Sequence, residues 1–417
     1  MKFIKKIKNK IKERGIIYIV LTLIYKFIKV FYCRLLHFTK INKKIIVFTS
    51  KPDFSDNSKY LYEYIRKNDK NSNYKYVWLV SKDWEKSKNQ NHNTVYVKLD
   101  SKYHADRSLR ALYYISKAKL LFFTHQSPMK EIKKKQGQII INLWHGCGYK
   151  SSEIKDYKWI DKNPMDYALV PGKIFIETKT QFWNCQKNQI LPIGYPRYNC
   201  FLENNEQTKK KIEKICNDNK LIIWMPTFRK TERGIFPEEK NIQNYDLPIL
   251  SSDKEMSELN KICSQTKIVL CVKRHPFQLR YKCENNKFSN IIFIDNNTLL
   301  KEDIDLYSLL KYTDGLITDY SSVAIDYLLL NKPIAFTLDD FEEYSKARGF
   351  VFKDPKKYMP GHHIYNFKDM KEYIEDVGKN KDLYKKDRQN IMNEVHNPCD
   401  DYCERIIKKI KELKEEF

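Results

Sequence analysis

Histidines, arginines, lysines and paired serines recur at the ends of short apolar runs in this 417-residue sequence, and their types suit phosphate chemistry. The segment Asn142-Leu143-Trp144-His145-Gly146-Cys147-Gly148-Tyr149-Lys150 closes one run. Its His145 has the right chemistry for a general base near neutral pH, and Gly146 and Gly148 allow a ligand close to the backbone. A lone histidine is more often structural. Arg197 in Gly194-Tyr195-Pro196-Arg197 and Arg229 in Pro226-Thr227-Phe228-Arg229 each follow a run and a proline. The planar guanidinium fork matches phosphate oxygens, although either arginine taken singly reads as half of a surface salt bridge. Lys273-Arg274-His275-Pro276 places three potentially cationic groups after Ile268–Val272. Unpartnered burial there would be costly, so the choice lies between an anionic ligand and an internal ion pair. Finally, Thr318-Asp319-Tyr320-Ser321-Ser322-Val323-Ala324-Ile325-Asp326-Tyr327 joins a run to a helix, with Ser321 or Ser322 as N-cap. Free N–H groups at such a start can seat a phosphate. Asp326, one turn deeper on the same face as Ser322, could accept from ribose or donor hydroxyls. Together these clusters point to one phosphate-rich cleft. Asp319 and Asp326 lack a further carboxylate nearby, so no metal site is expected, and neither a P-loop nor GxGxxG is present.

The elements that would position these groups are short apolar runs alternating with helical stretches. Ile45–Ser50, Tyr76–Val80, Val95–Leu99, Leu120–Thr124, Ile139–Leu143, Tyr167–Val170 and Ile190–Ile193 form one series of strands. Beyond a Lys-rich helix at Gln207–Asp218 comes a second series: Leu221–Met225, Ile268–Lys273, Ile291–Ile294, Gly315–Thr318 and Ile334–Thr337. Such runs, separated by helices, predict parallel sheets of α/β type. The expected organisation is a basic amphipathic segment at 1–40, two doubly wound, Rossmann-like domains at 41–205 and 206–370 facing a cleft, and terminal helices at 371–417. Open parallel sheets bind ligands beyond the carboxyl ends of their strands, where the polar clusters fall.

Lys and Arg number 77 against 52 acidic residues, a formal charge of +25. That excess attracts polyanions, anionic membranes or phosphorylated substrates, and a generally basic surface kept for solubility competes with all three. The ten cysteines form no CxxC pair and read as reduced thiols. At the amino end, Lys2, Lys5, Lys6, Lys8, Lys10, Lys12 and Arg14 alternate with Phe3, Ile4, Ile7 and Ile11, before an apolar run from Ile16 to Tyr25. The run is half the roughly 20 residues a spanning helix needs, and no small-residue cleavage site follows. A basic amphipathic helix on an anionic membrane surface is expected, with an ordinary docking helix as the alternative.

Five motifs in this order resemble the CDP-glycerol glycerophosphotransferase family, the primases and polymerases of teichoic acids and related capsules: WHG at Trp144–Gly146, GYPR at Gly194–Arg197, PTFR at Pro226–Arg229, KRHP at Lys273–Pro276 and TDYSSVAIDY at Thr318–Tyr327. Lys332-Pro333-Ile334, Arg348-Gly349-Phe350 and Pro360-Gly361 extend the likeness over residues 140–365. The resemblance implies a fold of the glycosyltransferase B type, peripheral attachment to the cytoplasmic face of the cell membrane, and a metal-independent reaction without a cofactor. CDP-glycerol or CDP-ribitol would be the donor, and a lipid-linked saccharide or growing polymer the acceptor. It further implies His145 as base, His275 as second essential histidine near the donor diphosphate, and substrate contacts at Trp144, Gly146, Cys147, Gly148, Arg197, Pro226, Thr227, Arg229, Lys273, Arg274, Ser321, Ser322 and Asp326. Two departures stand out: Cys147-Gly148 where the family usually has Thr-Pro after WHG, and Asn199 where an aspartate is common. The first leaves the choice of polyol open. Without a large extra amino-terminal domain, a primase or side-branch enzyme is expected at least as readily as a long-chain polymerase. A nucleotide-sugar glycosyltransferase on the same fold is the competing enzyme. Nucleic-acid binding is not expected, since no recognition module is visible.

Overall fold

The strands of the first half are buried on both faces, as parallel strands covered by helices must be. In a computed structural model, which describes residues 15–71, 73–81, 93–101, 107–151, 164–226, 247–250, 252–273 and 287–415, they form a seven-stranded parallel sheet. Its strands are β1 (Asn42–Thr49), β2 (Lys75–Val80), β3 (Thr94–Lys98), β4 (Ala118–Phe123), β5 (Ile139–Asn142), β6 (Tyr167–Leu169) and β7 (Ile190–Leu191). The order is β3-β2-β1-β4-β5-β6-β7. Chain direction across the sheet therefore reverses between β1 and β4, the switch point where open α/β sheets leave a crevice. Phe48 packs between Trp78 and Phe122, with ring centroids 5.5 and 5.2 Å away, and fixes the centre of this layer.

A second parallel sheet of six strands follows: β8 (Lys220–Trp224), β9 (Ile268–Lys273), β10 (Ile291–Ile294), β11 (Gly315–Thr318), β12 (Ile334–Thr337) and β13 (His362–Ile364). The order β10-β9-β8-β11-β12-β13 puts its switch point between β8 and β11. Short β13 went unseen in the sequence because His362-His363-Ile364 carries no apolar run; backbone pairing of Ala335–Thr337 with 362–364 defines it. The two doubly wound sheets expected from the alternating runs are thus present.

Contacts between the two halves are extensive. One apolar cluster runs from Phe48 and Trp78 through Tyr195, Tyr198 and Tyr320 to Ile223 and Leu316. The chain returns to the first sheet through the helix Tyr402–Glu415, whose Tyr402 and Cys403 N–H groups both donate to Asn199 Oδ1. Lys150 and Phe350 form an antiparallel bridge, and Val351 N–H donates to Tyr149 O at 2.7 Å, so the segment after His145 is stitched to the second half.

The amino-terminal helix differs from expectation. It spans Ile16–His37, 22 residues, with a mean hydropathy of 1.9 over an 18-residue window, long and apolar enough to cross a membrane. Apolar character continues beyond Tyr25 because Lys26 and Lys29 stand singly among Phe27, Ile28, Val30 and Phe31. Part of the helix docks on the first sheet's layer: Tyr25 Oη donates to Arg107 O at 2.7 Å, Lys29 pairs with Glu131 at 3.1 Å, and Leu36 is buried. Ile17 and Phe27 are 76% and 79% exposed on it. Residues 1–14, which carry the alternating lysines, lie outside the described residues.

Candidate active site

Strand β5 ends at Asn142, whose Oδ1 accepts from Trp144 N–H at 2.9 Å and bends the chain. Trp144 consequently sits at φ +54°, a strained value for an aromatic residue. The bend delivers His145 to the carboxyl edge of the first sheet, beside the end of β4. There His145 Nδ1 lies 2.9 Å from the Thr124 carbonyl oxygen. A carbonyl only accepts, so Nδ1 carries the proton and Nε2 is left with its lone pair, the tautomer of a base. Burial holds the imidazolium below its usual pKa, against the Thr124 hydrogen bond and Asp56, which favour it; Arg197 and Lys179 add to the depression. A neutral acceptor nitrogen at physiological pH follows.

His125, at the end of β4, stacks on His145 with centroids 4.2 Å apart and planes 12° apart. Burial, and next the neighbouring His145, push its pKa down to about 4, so it stays neutral beside the base. His125 directly follows the run Leu120–Thr124, so the strand-end position that singles out His145 is shared by a second histidine absent from the motif set. Trp144 contacts the other side of the site, its ring 3.9 Å from that of His145.

Arg197 is 2% exposed and reaches across the two halves. Nη1 donates to Asp56 Oδ1 at 2.6 Å and to His145 O at 3.1 Å, and Nη2 donates to Asp326 Oδ2 at 2.6 Å. Tyr307 Oη donates to Asp326 Oδ2 at 2.6 Å and Tyr198 Oη to Asp326 Oδ1. Burial works against the guanidinium charge, but Asp326, Tyr307 and Asp56 more than offset it and raise the pKa. The geometry therefore gives Arg197 and Asp326 to each other. Asp326 is 0% exposed and its oxygens are taken by three donors, so neither residue faces an open cleft in this arrangement. The reason the sequence missed this is distance: the partners are 129 positions apart. Asp56 was missed as well; it stands at φ +55° at the start of the helix after β1, a conformation no composition signal announces.

Gly146 and Gly148 bring the first half onto the serine pair. A Cβ on Gly148 would stand 2.9 Å from both Ser322 N and Ser322 Cα, and one on Gly146 2.5 Å from Ser322 Oγ. Ser321 and Ser322 are half-buried, and the helix Ser322–Tyr327 has only six residues. Its first turn meets the Gly146–Gly148 loop. Cys147 is fully buried and its Sγ lies 3.2 Å from Tyr195 Oη. Its thiol faces Tyr195 in the protein interior.

On the second sheet, Lys273 ends β9, half-buried. Burial depresses its ammonium, against Cys271 and Asp295. Pro226 lies just past β8, after Met225, whose N–H donates to Ile317 O at 2.8 Å. Thr227, Arg229, Arg274 and His275 lie outside the described residues. Among the described residues no group of three or more His, Cys, Asp or Glu could hold a metal ion.

Residues 31–412 match the family described as CDP-Glycerol:Poly(glycerophosphate) glycerophosphotransferase. A teichoic acid ribitol-phosphate primase from Bacillus spizizenii is 26% identical over 273 residues, 60% of this chain and 64% of that protein, so the chain spans less than two thirds of it. A teichoic acid poly(glycerol phosphate) polymerase from the same organism is 27% identical over 381 residues, 86% of this chain and 88% of that one. Among solved structures, the wall teichoic acid polymerase TagF superposes with a TM-score of 0.74 at 22% identity, covering 96% of this chain and 97% of that one, which shows a shared fold.

Proposed function

The chain belongs to the CDP-glycerol:poly(glycerophosphate) glycerophosphotransferase family, and on that premise we propose that it transfers glycerol phosphate, or ribitol phosphate, from a CDP-activated donor to a lipid-linked saccharide or growing polymer. The setting is teichoic acid or capsular polysaccharide synthesis. The observation that carries the reading is His145: a half-buried, neutral imidazole whose Nδ1 is held by Thr124 O and whose Nε2 has no donor among the described residues and can take a proton.

In the proposed reaction an acceptor hydroxyl attacks the phosphorus that bears the polyol. The new O–P bond forms as the bond to the bridging diphosphate oxygen breaks, CMP leaves with that oxygen, and His145 Nε2 receives the hydroxyl proton. Positioning and electrostatics supply most of the acceleration in such transfers. Lys273, on the edge of the second sheet, supports negative charge on the diphosphate, with Arg274 and His275 beyond it in sequence. Arg197 acts through His145: its hydrogen bond to the His145 carbonyl fixes the backbone that carries the base.

Peripheral membrane attachment at the cytoplasmic face fits the exposed Ile17, Leu23, Phe27 and Phe31 on a helix that touches the protein body at Tyr25, Lys29 and Leu36. An anionic surface would suit the basic residues 2–14.

CMP release from CDP-glycerol and, separately, from CDP-ribitol, each with membrane-derived lipid-linked acceptor, tests the proposal. Acceptor-dependent release from one donor establishes the reaction and names the polyol. Folded protein that is silent with both donors and several acceptors refutes it.

A further inference from the structure

Lys179 lies on the helix Ile176–Trp183, which follows β6 on the first sheet. No feature of the sequence marks it, because it sits inside a helix and not at a strand end. Its Nζ stands 5.1 Å from the Trp144 ring centroid, 4.6 Å from Phe182 and 5.5 Å from Trp183. Trp144 in turn contacts His145, with ring centroids 3.9 Å apart, so one indole ring touches both the lysine and the base. Among the described residues no carboxylate pairs with Lys179. Aromatic faces offset part of the desolvation of a cation, but they supply no hydrogen-bond acceptor. The Trp144 indole N–H, in a side chain 6% exposed, also lacks an acceptor among the described residues. A buried donor without an acceptor calls for an explanation, and this indole N–H shares its aromatic cluster with a half-buried lysine that has no carboxylate partner among the described residues.

We propose that Lys179, held by Trp144, Phe182 and Trp183, anchors a phosphate of the substrate that presents its hydroxyl to His145. This rests on the transferase reading and deepens it: the acceptor is selected for an anionic phosphate next to the attacking hydroxyl, as a polyol phosphate chain end or a lipid diphosphate would provide. The location favours the acceptor over the donor. Lys179 belongs to the first sheet, whereas Lys273 and Pro226 stand on the second. Burial depresses the Lys179 ammonium, against Cys147, so an arriving anion further favours its charged form.

Lys179→Met and Lys179→Arg test the assignment in the full-length protein. For Lys179→Met the acceptor KM rises about tenfold or more, the loss of one charge-assisted hydrogen bond, while CDP-polyol affinity stays within about twofold. Because Lys179 depresses the His145 pKa, the acid limb of the rate profile also moves to higher pH. Lys179→Arg recovers part of the acceptor KM. Independently of turnover, titration with inorganic phosphate changes the tryptophan fluorescence of the wild type and not of Lys179→Met, a readout that survives failure of the transferase reading. A lowered Tm with unchanged acceptor KM, acid limb and phosphate response makes the lysine a purely structural cation and overturns the proposal. Loss of donor affinity instead of acceptor affinity moves the anion to the donor and overturns the acceptor assignment.

Discussion

Asp326→Asn keeps the shape of a fully buried side chain and removes its charge. Three donors converge on this carboxylate: Arg197 Nη2 and Tyr307 Oη at 2.6 Å, and Tyr198 Oη. Hydrogen bonds to a charged group contribute about 1.5–3 kcal/mol against about 1 kcal/mol for neutral ones. A loss of about 1 kcal/mol at each bond gives about 3 kcal/mol, at the lower end of the ~3–5 kcal/mol expected when a buried ion pair loses one partner. Arg197 keeps Asp56 and the His145 carbonyl, which limits the damage. Urea unfolding of the wild type, Asp326→Asn, Arg197→Met and the double variant measures this. The double variant should lose about 2 kcal/mol less than the sum, because the two residues share one interaction. A loss under about 1 kcal/mol for Asp326→Asn, or strict additivity, refutes the view that this pair ties the two sheets together.

Gly148→Ala should fold yet lose most activity, since its Cβ would stand 2.9 Å from Ser322 backbone atoms and force the two halves apart; wild-type turnover at unchanged Tm contradicts that. The pH profile of turnover should rise through a pKa below the ordinary histidine value of about 6.5 and then level, because His145 is held neutral by burial; an acid limb above that value counts against it. His125 contributes stability that is present above about pH 6.5 and lost as pH falls towards its folded value of about 4, since the unfolded chain binds the proton more readily. Melting at pH 7.5 and 5.0 checks this: His125→Phe should lose less stability than wild type between the two, and an identical loss sinks the idea. Phe27→Asp, at a position 79% exposed, should weaken binding to anionic vesicles about tenfold or more without changing Tm; unchanged vesicle binding refutes an interfacial role for this helix.

The two-sheet fold was legible because parallel strands covered on both faces must be short apolar runs, and Ile139–Asn142 or Ile334–Thr337 are just that. His362–Ile364 escaped because an edge strand needs only backbone pairing. Strand-end reasoning led to His145 and Lys273, whose positions follow from local order along the chain. It did not show that Arg197 and Asp326, read as ligands for phosphate and hydroxyl groups, also pair with each other. Residue type announces a charge; only the three-dimensional arrangement says what neutralises it. Lys179 and Asp56 were illegible for a related reason, as their significance comes from Trp144 and Arg197, which the fold brings to them.

The central claim is that His145 takes the acceptor's proton, and the most direct measurement is single-turnover CMP release by His145→Ala, paired with donor affinity by calorimetry. The account predicts a rate lower by about 10²–10⁴-fold, the usual contribution of a general base, with CDP-polyol affinity nearly unchanged. Turnover within a few-fold of wild type contradicts it.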